Sequence, residues 1–360
     1  MEKVSPKFIV GVDVGYSNLK FTYGVFDPED NKNITELFRS EIYPSTVQSI
    51  TEASNICDYK SINNACIVNV NGNEYLTCVT PNVLSSKYDS ERIIDDSYPF
   101  SDEYLALYLS ALLHSGRKEI DLVVVGLPAR EYIDEERKER LKQRLTGTFN
   151  VTNKTQITVN DVIVIPQPLG AFCAELSQSI PNQEATKFIK NLNFNTSLII
   201  DIGFYSTDWV VMNAKQMEHD FLGSSYNAVS VILKDTQQLL GKKYGIIRNE
   251  SLLEDAIRTG SYNISMGSSG DINFFADFKE MANRRAEKLV REITAAVREC
   301  VTKIDTIIIC GGGLDFYKDK ISERFNHCNI ITADTAVDRN TTVSLNSLGF
   351  WVYGFSQIRK

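Results

Sequence analysis

Residues 8–20 read FIVGVDVGYSNLK, and residues 198–210 read LIIDIGFYSTDWV. Each is an apolar run, an aspartate, one residue, a glycine, and a small hydroxyl residue a little further on. Asp13, Gly15 and Ser17 fill the pattern in the first copy, and Asp201, Gly203 and Ser206 in the second. The apolar run reads as a buried strand. The Asp-x-Gly reads as the tight turn into the second strand of a hairpin. Successive backbone N–H groups in such a turn can hold phosphate oxygens, and the carboxylate can hold a hydrated Mg2+ that bridges them. One Asp-x-Gly is a common hairpin turn. Two copies, one in each half, imply a duplicated fold that clamps a nucleotide between two domains.

A third segment, Ile308-Ile309-Cys310-Gly311-Gly312-Gly313-Leu314-Asp315, puts three glycines after another apolar run, where a flat ligand can approach the backbone closely. Taken alone, a glycine triplet is only a loop.

The elements that must position these segments follow from spacing. Residues 8–14 and 19–26 form the first hairpin, and residues 121–127 (DLVVVGL) a buried strand stopped by Pro128. Apolar positions over 102–115 have helical spacing, with Ser101 or Asp102 as cap. Residues 131–145 form a charged surface helix. Ile163–Ile165 end a strand, and Pro166-Gln167-Pro168 leads into the helix LGAFCAELSQ. Residues 226–241, 276–303 and a stretch from Ser344 read as further helices, and 305–310 as a strand. Ala65–Val70 and Glu74–Val79 flank Asn71-Gly72, a strong hairpin signal. Residues 33–95 read as a small subdomain inserted into the first domain, 180–195 as an exposed connection, and 260–273 as a loop or short hairpin. Strands alternating with helices after two hairpin starts predict an α/β fold of two halves.

Bulk composition bounds the function. The chain has 360 residues, room for two ordinary domains, with 43% hydrophobic and 23% charged residues, a globular balance. A formal net charge of −8 argues against a broad basic surface for nucleic acid, so any link to DNA goes through a partner. No apolar run is long enough to span a bilayer, and the start MEKVSPKFIV has no secretion pattern. Seven cysteines without a Cys-x-x-Cys pair, and three histidines, argue against a zinc site and for a reducing cytoplasm. Cys173 and Cys310 lie in apolar runs and read as small core residues.

In order, the chain carries a phosphate loop, a Pro-Gln connector, a second phosphate loop and a Gly-rich strand end. This resembles the actin/Hsp70/sugar-kinase superfamily, and most of all the bacterial actin-like plasmid segregation proteins of the ParM/StbA group. GVDVGYSNLKF is similar to the first phosphate motif of that group, and VVVGLPAREY (123–132) to its Gly-Leu-Pro strand end. The resemblance implies a duplicated actin-like (ribonuclease H-like) fold, with two domains around a nucleotide cleft. Domain I would take residues 1–165 and 344–360, and domain II residues 166–343.

The resemblance also implies site roles. Asp13 would organise Mg2+ through water. The amides of Gly15, Tyr16, Ser17 and Asn18, with the Ser17 and Asn18 side chains, would hold phosphates, and Lys20 would reach the β-phosphate. The alternative for Lys20 is a solvent-facing strand lysine. Gln167 would position the hydrolytic water. Plasmid actins often carry glutamate there, and a glutamine cannot act as a general base. Asp201 would act through water on Mg2+ or the nucleophile. Gly203, Tyr205, Ser206 and Thr207 would hold the γ-phosphate, with Asp208 either beside them or capping the turn. Gly311, Gly312, Gly313 and Leu314 would line the adenosine pocket. Glu254, Arg258, Lys279 and Glu280 are the ribose and base candidates from the 250–285 region.

The implied function is an ATPase, with GTP as the alternative nucleotide, whose protomers assemble into filaments and segregate plasmid or phage DNA. An adaptor protein bound to a centromere-like sequence would carry the DNA. A small-molecule kinase would need a carboxylate base beside the connector; none is there, and Glu175 lies well into its helix. An Hsp70-like chaperone would need a substrate-binding domain after the nucleotide domain, which is not expected within these 360 residues. A non-polymerising actin-like scaffold stays open.

Overall fold

The structure, a computed structural model, describes residues 6–26, 37–50, 65–79, 96–178, 195–214, 216–245, 250–265, 270–332 and 345–358. The chain divides into two compact units, one of Met1–Asn193 with Ala333–Lys360, the other of Phe194–Thr332.

In the first unit, β1 (Lys7–Val14) puts Val10, Val12 and Val14 on one face and Ile9, Gly11 and Asp13 on the other, as strand alternation requires. With β2 (Asn18–Phe26), β3 (Phe38–Pro44), β4 (Leu122–Leu127) and β5 (Val162–Pro166) it forms a sheet in the order β5-β4-β1-β2-β3. β1, β2 and β3 pair antiparallel, while β4 runs parallel to β1 and β5 to β4. Parallel neighbours need crossover connections. Helix α1 (Asp102–His114) lies between β3 and β4, with α2 (Ala129–Tyr132) and α3 (Glu135–Leu145) between β4 and β5. α1 starts where the Ser101 hydroxyl accepts the Tyr104 N–H, with Asp102 and Glu103 in its first turn. It packs on the Val10, Val12 and Phe21 side of the sheet.

The other face carries α4 (Gln167–Gln178) and α9 (Leu345–Ile358). These two helices touch backbone to backbone: a Cβ on Gly349 would lie 1.6 Å from the Gly170 carbonyl oxygen. That packing puts α4 in the first unit, although the expected domain boundary fell just before it.

The second unit repeats the plan. β6 (Thr196–Ile202), β7 (Thr207–Asn213), β8 (Gln216–Ser225), β9 (Ile304–Cys310) and β10 (Asn329–Thr332) are ordered β8-β7-β6-β9-β10. Again three strands are antiparallel and two are added in parallel. Helices α5 (Val229–Tyr244), α6 (Glu250–Arg258) and α7 (Phe275–Ala296) come between β8 and β9, and α8 (Leu314–Arg324) between β9 and β10. Leu198, Ile200 and Ile202 of β6 and Ile307 and Ile309 of β9 are buried with Ile232, Leu289, Ile293 and Tyr317 from these helices. Each such aliphatic side chain contributes about 1.5–3 kcal/mol of burial free energy.

Several elements differ from expectation. Phe38–Pro44 completes the main sheet and does not belong to an insert. The described remainder of the expected 33–95 subdomain is a three-stranded sheet of Val47–Ser49, Asn73–Thr77 and Cys66–Val70. Its Asn71-Gly72 turn has φ 54° and 87°, as a two-residue hairpin demands. The charged helix predicted over 131–145 is broken, and α3 restarts where Asp134 accepts the Arg137 N–H at 3.1 Å. The long helix expected to reach 303 stops at Ala296. Residues 33–36, 51–64, 80–95 and 180–194 of these expectations lie outside the described residues.

Candidate functional site

Both Asp-x-Gly turns close in the same way. Between β1 and β2 the Gly15 N–H donates to the Asn18 carbonyl at 3.1 Å, and between β6 and β7 the Gly203 N–H donates to the Ser206 carbonyl at 2.9 Å. A Cβ on Gly15 would stand 2.9 Å from the Asn18 oxygen, and one on Gly203 2.8 Å from the Ser206 oxygen, so neither turn admits a side chain there. The ladder register pairs Asp13 with Lys20 and Asp201 with Asp208. The glycine amides are thus spent on closing the turns, including that of Gly15, which the sequence reading grouped with the phosphate donors. Each turn sits at the carboxyl ends of its sheet's parallel strands, where open α/β sheets place ligands.

In the first unit Asp13 is buried, and Lys20 Nζ donates to its Oδ2 at 3.2 Å. Lys20 is therefore turned onto the carboxylate, with a fifth of its side chain exposed, and is not a solvent-facing strand lysine. The turn is braced by Ser45, whose N–H donates to the Ser17 carbonyl at 3.0 Å and whose hydroxyl donates to the Gly15 carbonyl. The Tyr16 ring stacks on Tyr98 at 4.6 Å between centroids, which fixes it against the protein. Gln167 opens α4 directly after β5, half-buried, with its side chain lying over Gly126 of β4. Further along α4, burial pushes the Glu175 carboxyl up to about 7.

In the second unit the buried Asp208 carboxylate accepts the Ser206 hydroxyl at 2.6 Å and the Ser224 hydroxyl from β8. This is the turn-capping arrangement named for Asp208. The Thr207 hydroxyl, fully buried, donates to the Asn227 carbonyl at 2.9 Å, so it points into the protein. Tyr205 packs edge-on to the exposed Tyr226, 5.4 Å between centroids. Gly311 has φ +93°, and a Cβ on it would fall 2.5 Å from Asp201 Oδ1 and 2.3 Å from the Ile202 carbonyl oxygen. The Gly313 N–H donates to that same carbonyl at 2.9 Å. A Cβ on Gly312 meets nothing within 4 Å, so its backbone lies open. The Leu314 side chain is in the hydrophobic core, 3% exposed. Asp201, Gly203, Ser206, Asp208 and the Gly311–Gly313 turn thus form one cluster. Glu254 lies on α6, and Lys279 and Glu280 are exposed on α7, where Glu280 accepts from Arg284 at 2.6 Å. The Arg258 side chain lies outside the described residues.

Sequence reasoning missed Ser45, Tyr98, Ser224 and Asn227. Each reaches its turn across the fold, and the polar run GSSYN (223–227) just before α5 is the one sequence signal near Ser224 and Asn227.

The residues present fit a nucleotide and Mg2+. In each unit taken by itself the tight glycine turn suits a phosphate, and in the second unit the open Gly312 backbone suits a flat group. Among the described residues no group of three or more His, Cys, Asp or Glu side chains could hold a metal ion. Mg2+ commonly keeps several waters and takes one or two carboxylates with phosphate oxygens, a role whose chemistry suits Asp13 in the first unit and, separately, Asp201 in the second. Among the described residues no helix is long and apolar enough to cross a membrane.

Two family models match the chain: the actin-like proteins N-terminal domain over residues 11–170, and the archaeal actin homologue MreB-like C-terminal domain over residues 199–323. No curated protein matches. Among solved structures, the archaeal actin homologue Ta0583 in complex with ADP has a TM-score of 0.67 at 17% identity, covering 96% of this chain and 98% of its own. The pCBH ParM non-polymerisable quadruple mutant has a TM-score of 0.70 at 18% identity, covering 97% and 99%. A 15-stranded ParM filament from Clostridium botulinum has 0.66 at 18% identity, covering 97% and 99%. The duplicated sheet shares the fold of these proteins, and the chain belongs to the family of actin-like proteins.

Proposed function

We propose that this actin-like protein is a nucleotide-dependent, filament-forming ATPase that segregates plasmid or phage DNA through an adaptor. The observation that carries the reading is the matched closure of the two Asp-x-Gly turns, each at the carboxyl ends of the parallel strands of its own five-stranded sheet. The two turns hold the phosphates of ATP, or of GTP. Asp13 in the first unit and Asp201 in the second would each be able to hold Mg2+ through water, and Lys20, which donates to Asp13 at 3.2 Å, would reach the β-phosphate. Gln167 orients the attacking water, since an amide has no basicity for proton abstraction. Gly311, Gly312 and Gly313 give the flat end of the ligand its backbone wall.

Filament assembly by self-association is supported by likeness to ParM, whose structures include a filament, and nucleotide use by likeness to Ta0583, whose structure holds ADP. The net charge of −8 supports an adaptor bound to centromere-like DNA in place of direct contact. Hydrolysis then serves as a timer, weakening contacts that nucleotide binding favours. The cytoplasm is the compartment this reading requires.

Right-angle light scattering with pelleting, in Mg-ATP, Mg-GTP, Mg-ADP or no nucleotide, tests it. A rise with triphosphate that decays as phosphate is released is expected. A flat trace across micromolar protein with nucleotide bound would reject assembly and turn attention to phosphorylation of small molecules.

A further inference from the structure

The second turn is held from behind by a polar network that the nucleotide reading does not use. Asn227 lies between β8 and α5, 4% exposed. Its carbonyl accepts the Thr207 hydroxyl of the turn at 2.9 Å, and three residues on, the Ser230 N–H donates to the Phe204 carbonyl at 2.8 Å. Segment 227–230 therefore grips the turn at two points.

The Asn227 side chain is itself gripped by α7. Its Nδ2 donates to both Glu292 oxygens, at 3.0 and 2.9 Å, and to Ser225 Oγ at 3.1 Å. Its Oδ1 accepts from Arg285 Nη1 at 3.3 Å. Arg285 is pinned by a bidentate pair with Asp235 of α5, at 2.6 and 2.8 Å. Ser225 also donates to Glu292. Arg285 and Glu292 are seven residues apart, two turns along one face of α7. One short amide thus reads a cation and an anion on the same helix. A carboxylate at 227 would face Glu292 as a like charge, and an apolar side chain would leave two charged groups without this partner.

We infer that Asn227 is a positioning residue for the second phosphate-binding turn, with Arg285 and Glu292 of α7 as the groups that hold it. The inference rests on the nucleotide reading for its effect on catalysis, and on geometry alone for the anchoring. Asn227→Asp puts a carboxylate against Glu292. Asn227→Asp with Glu292→Gln exchanges the amide and the carboxylate and restores a complementary pair.

Two readouts separate the claims. In the nucleotide-free protein, amide hydrogen exchange over residues 203–207 should rise about tenfold in Asn227→Asp and return in the double variant, while the β1–β2 turn is unchanged. In ATP hydrolysis, kcat should fall at least about tenfold with KM within about twofold, and the double variant should recover it. Unchanged exchange in Asn227→Asp overturns the anchor. Raised exchange with unchanged kcat overturns the positioning role. Loss that the double variant does not repair assigns the effect to general stability and overturns the inference as well. A parent protein that binds no nucleotide rejects the nucleotide reading and the catalytic half of this inference, while the exchange arm still decides the anchor.

Discussion

Gly311 and Gly312 are adjacent, yet alanine at each should fail for a different reason. Gly311 has φ +93°, where an L-residue is strained by about 1–2 kcal/mol. Its Cβ would also lie 2.3 Å from the Ile202 carbonyl oxygen, roughly 1 Å inside ordinary contact, and 2.5 Å from Asp201 Oδ1. The Ile202 oxygen cannot yield cheaply, because it is backbone at the end of β6, whereas Asp201 Oδ1 could move only by turning its side chain. Overpacking of this kind costs about 1–3 kcal/mol more. The sum for Gly311→Ala is about 2–5 kcal/mol, a fall in Tm on the order of 10 °C for a unit of this size. Gly312 lacks positive φ, and its Cβ meets nothing within 4 Å. Gly312→Ala should therefore leave stability within about 0.5 kcal/mol. If the backbone there is the wall against which a nucleotide lies, the new methyl should weaken binding about tenfold, or about 1.4 kcal/mol. Thermal unfolding and titration of a fluorescent ATP analogue read the two effects separately. Gly311→Ala as stable as the parent would refute the packing argument. Gly312→Ala with unchanged nucleotide affinity would refute the assignment of the glycine run to the ligand.

Lys20→Ala removes the cation 3.2 Å from the buried Asp13 carboxylate. It should destabilise by about 3 kcal/mol, the low end for such pairs because Lys20 is partly exposed, and it should weaken nucleotide binding. Chemical denaturation with a double-mutant cycle against Asp13→Asn, plus nucleotide titration, checks both, and unchanged affinity would confine Lys20 to the ion pair. Asp201→Ala should assemble with ATP but fail to disassemble, because the proposed function gives Asp201 a part in hydrolysis; decay of light scattering at the parent's rate would disprove the role. Glu175 is held up to about 7 by burial, above its ordinary 4.5, so the folded protein keeps a proton that the unfolded chain releases. That stabilising effect is complete below about pH 4.5 and lost as pH rises through 7. Glu175→Gln should thus match the parent at about pH 4 and exceed it by about 3 kcal/mol at about pH 8 in urea unfolding; equal stability at both pH values would show that Glu175 does not titrate in this window.

Much of this protein was legible in its sequence because the signals are local. An apolar run followed by Asp-x-Gly encodes a strand and its turn within a dozen residues, so both hairpins, the strand before Pro128 and the Asn71-Gly72 turn could be placed without contacts. The duplication was legible for the same reason, and it located Asp13 and Asp201 at equivalent strand ends. What the sequence could not decide depends on distances between remote segments. Phe38–Pro44 joined the main sheet because a free edge of β2 was there to pair with. The helix after Gln167 joined the first unit because Gly170 and Gly349 let two backbones meet. The Thr207 hydroxyl, read as a phosphate ligand, turned inward because Asn227 supplied an acceptor, and Asp208 became a cap because Ser206 and Ser224 both reached it. A side chain's type sets which bonds it can make, but which partner it finds is settled only when burial removes water and leaves the nearest polar group as the alternative to an unmade hydrogen bond.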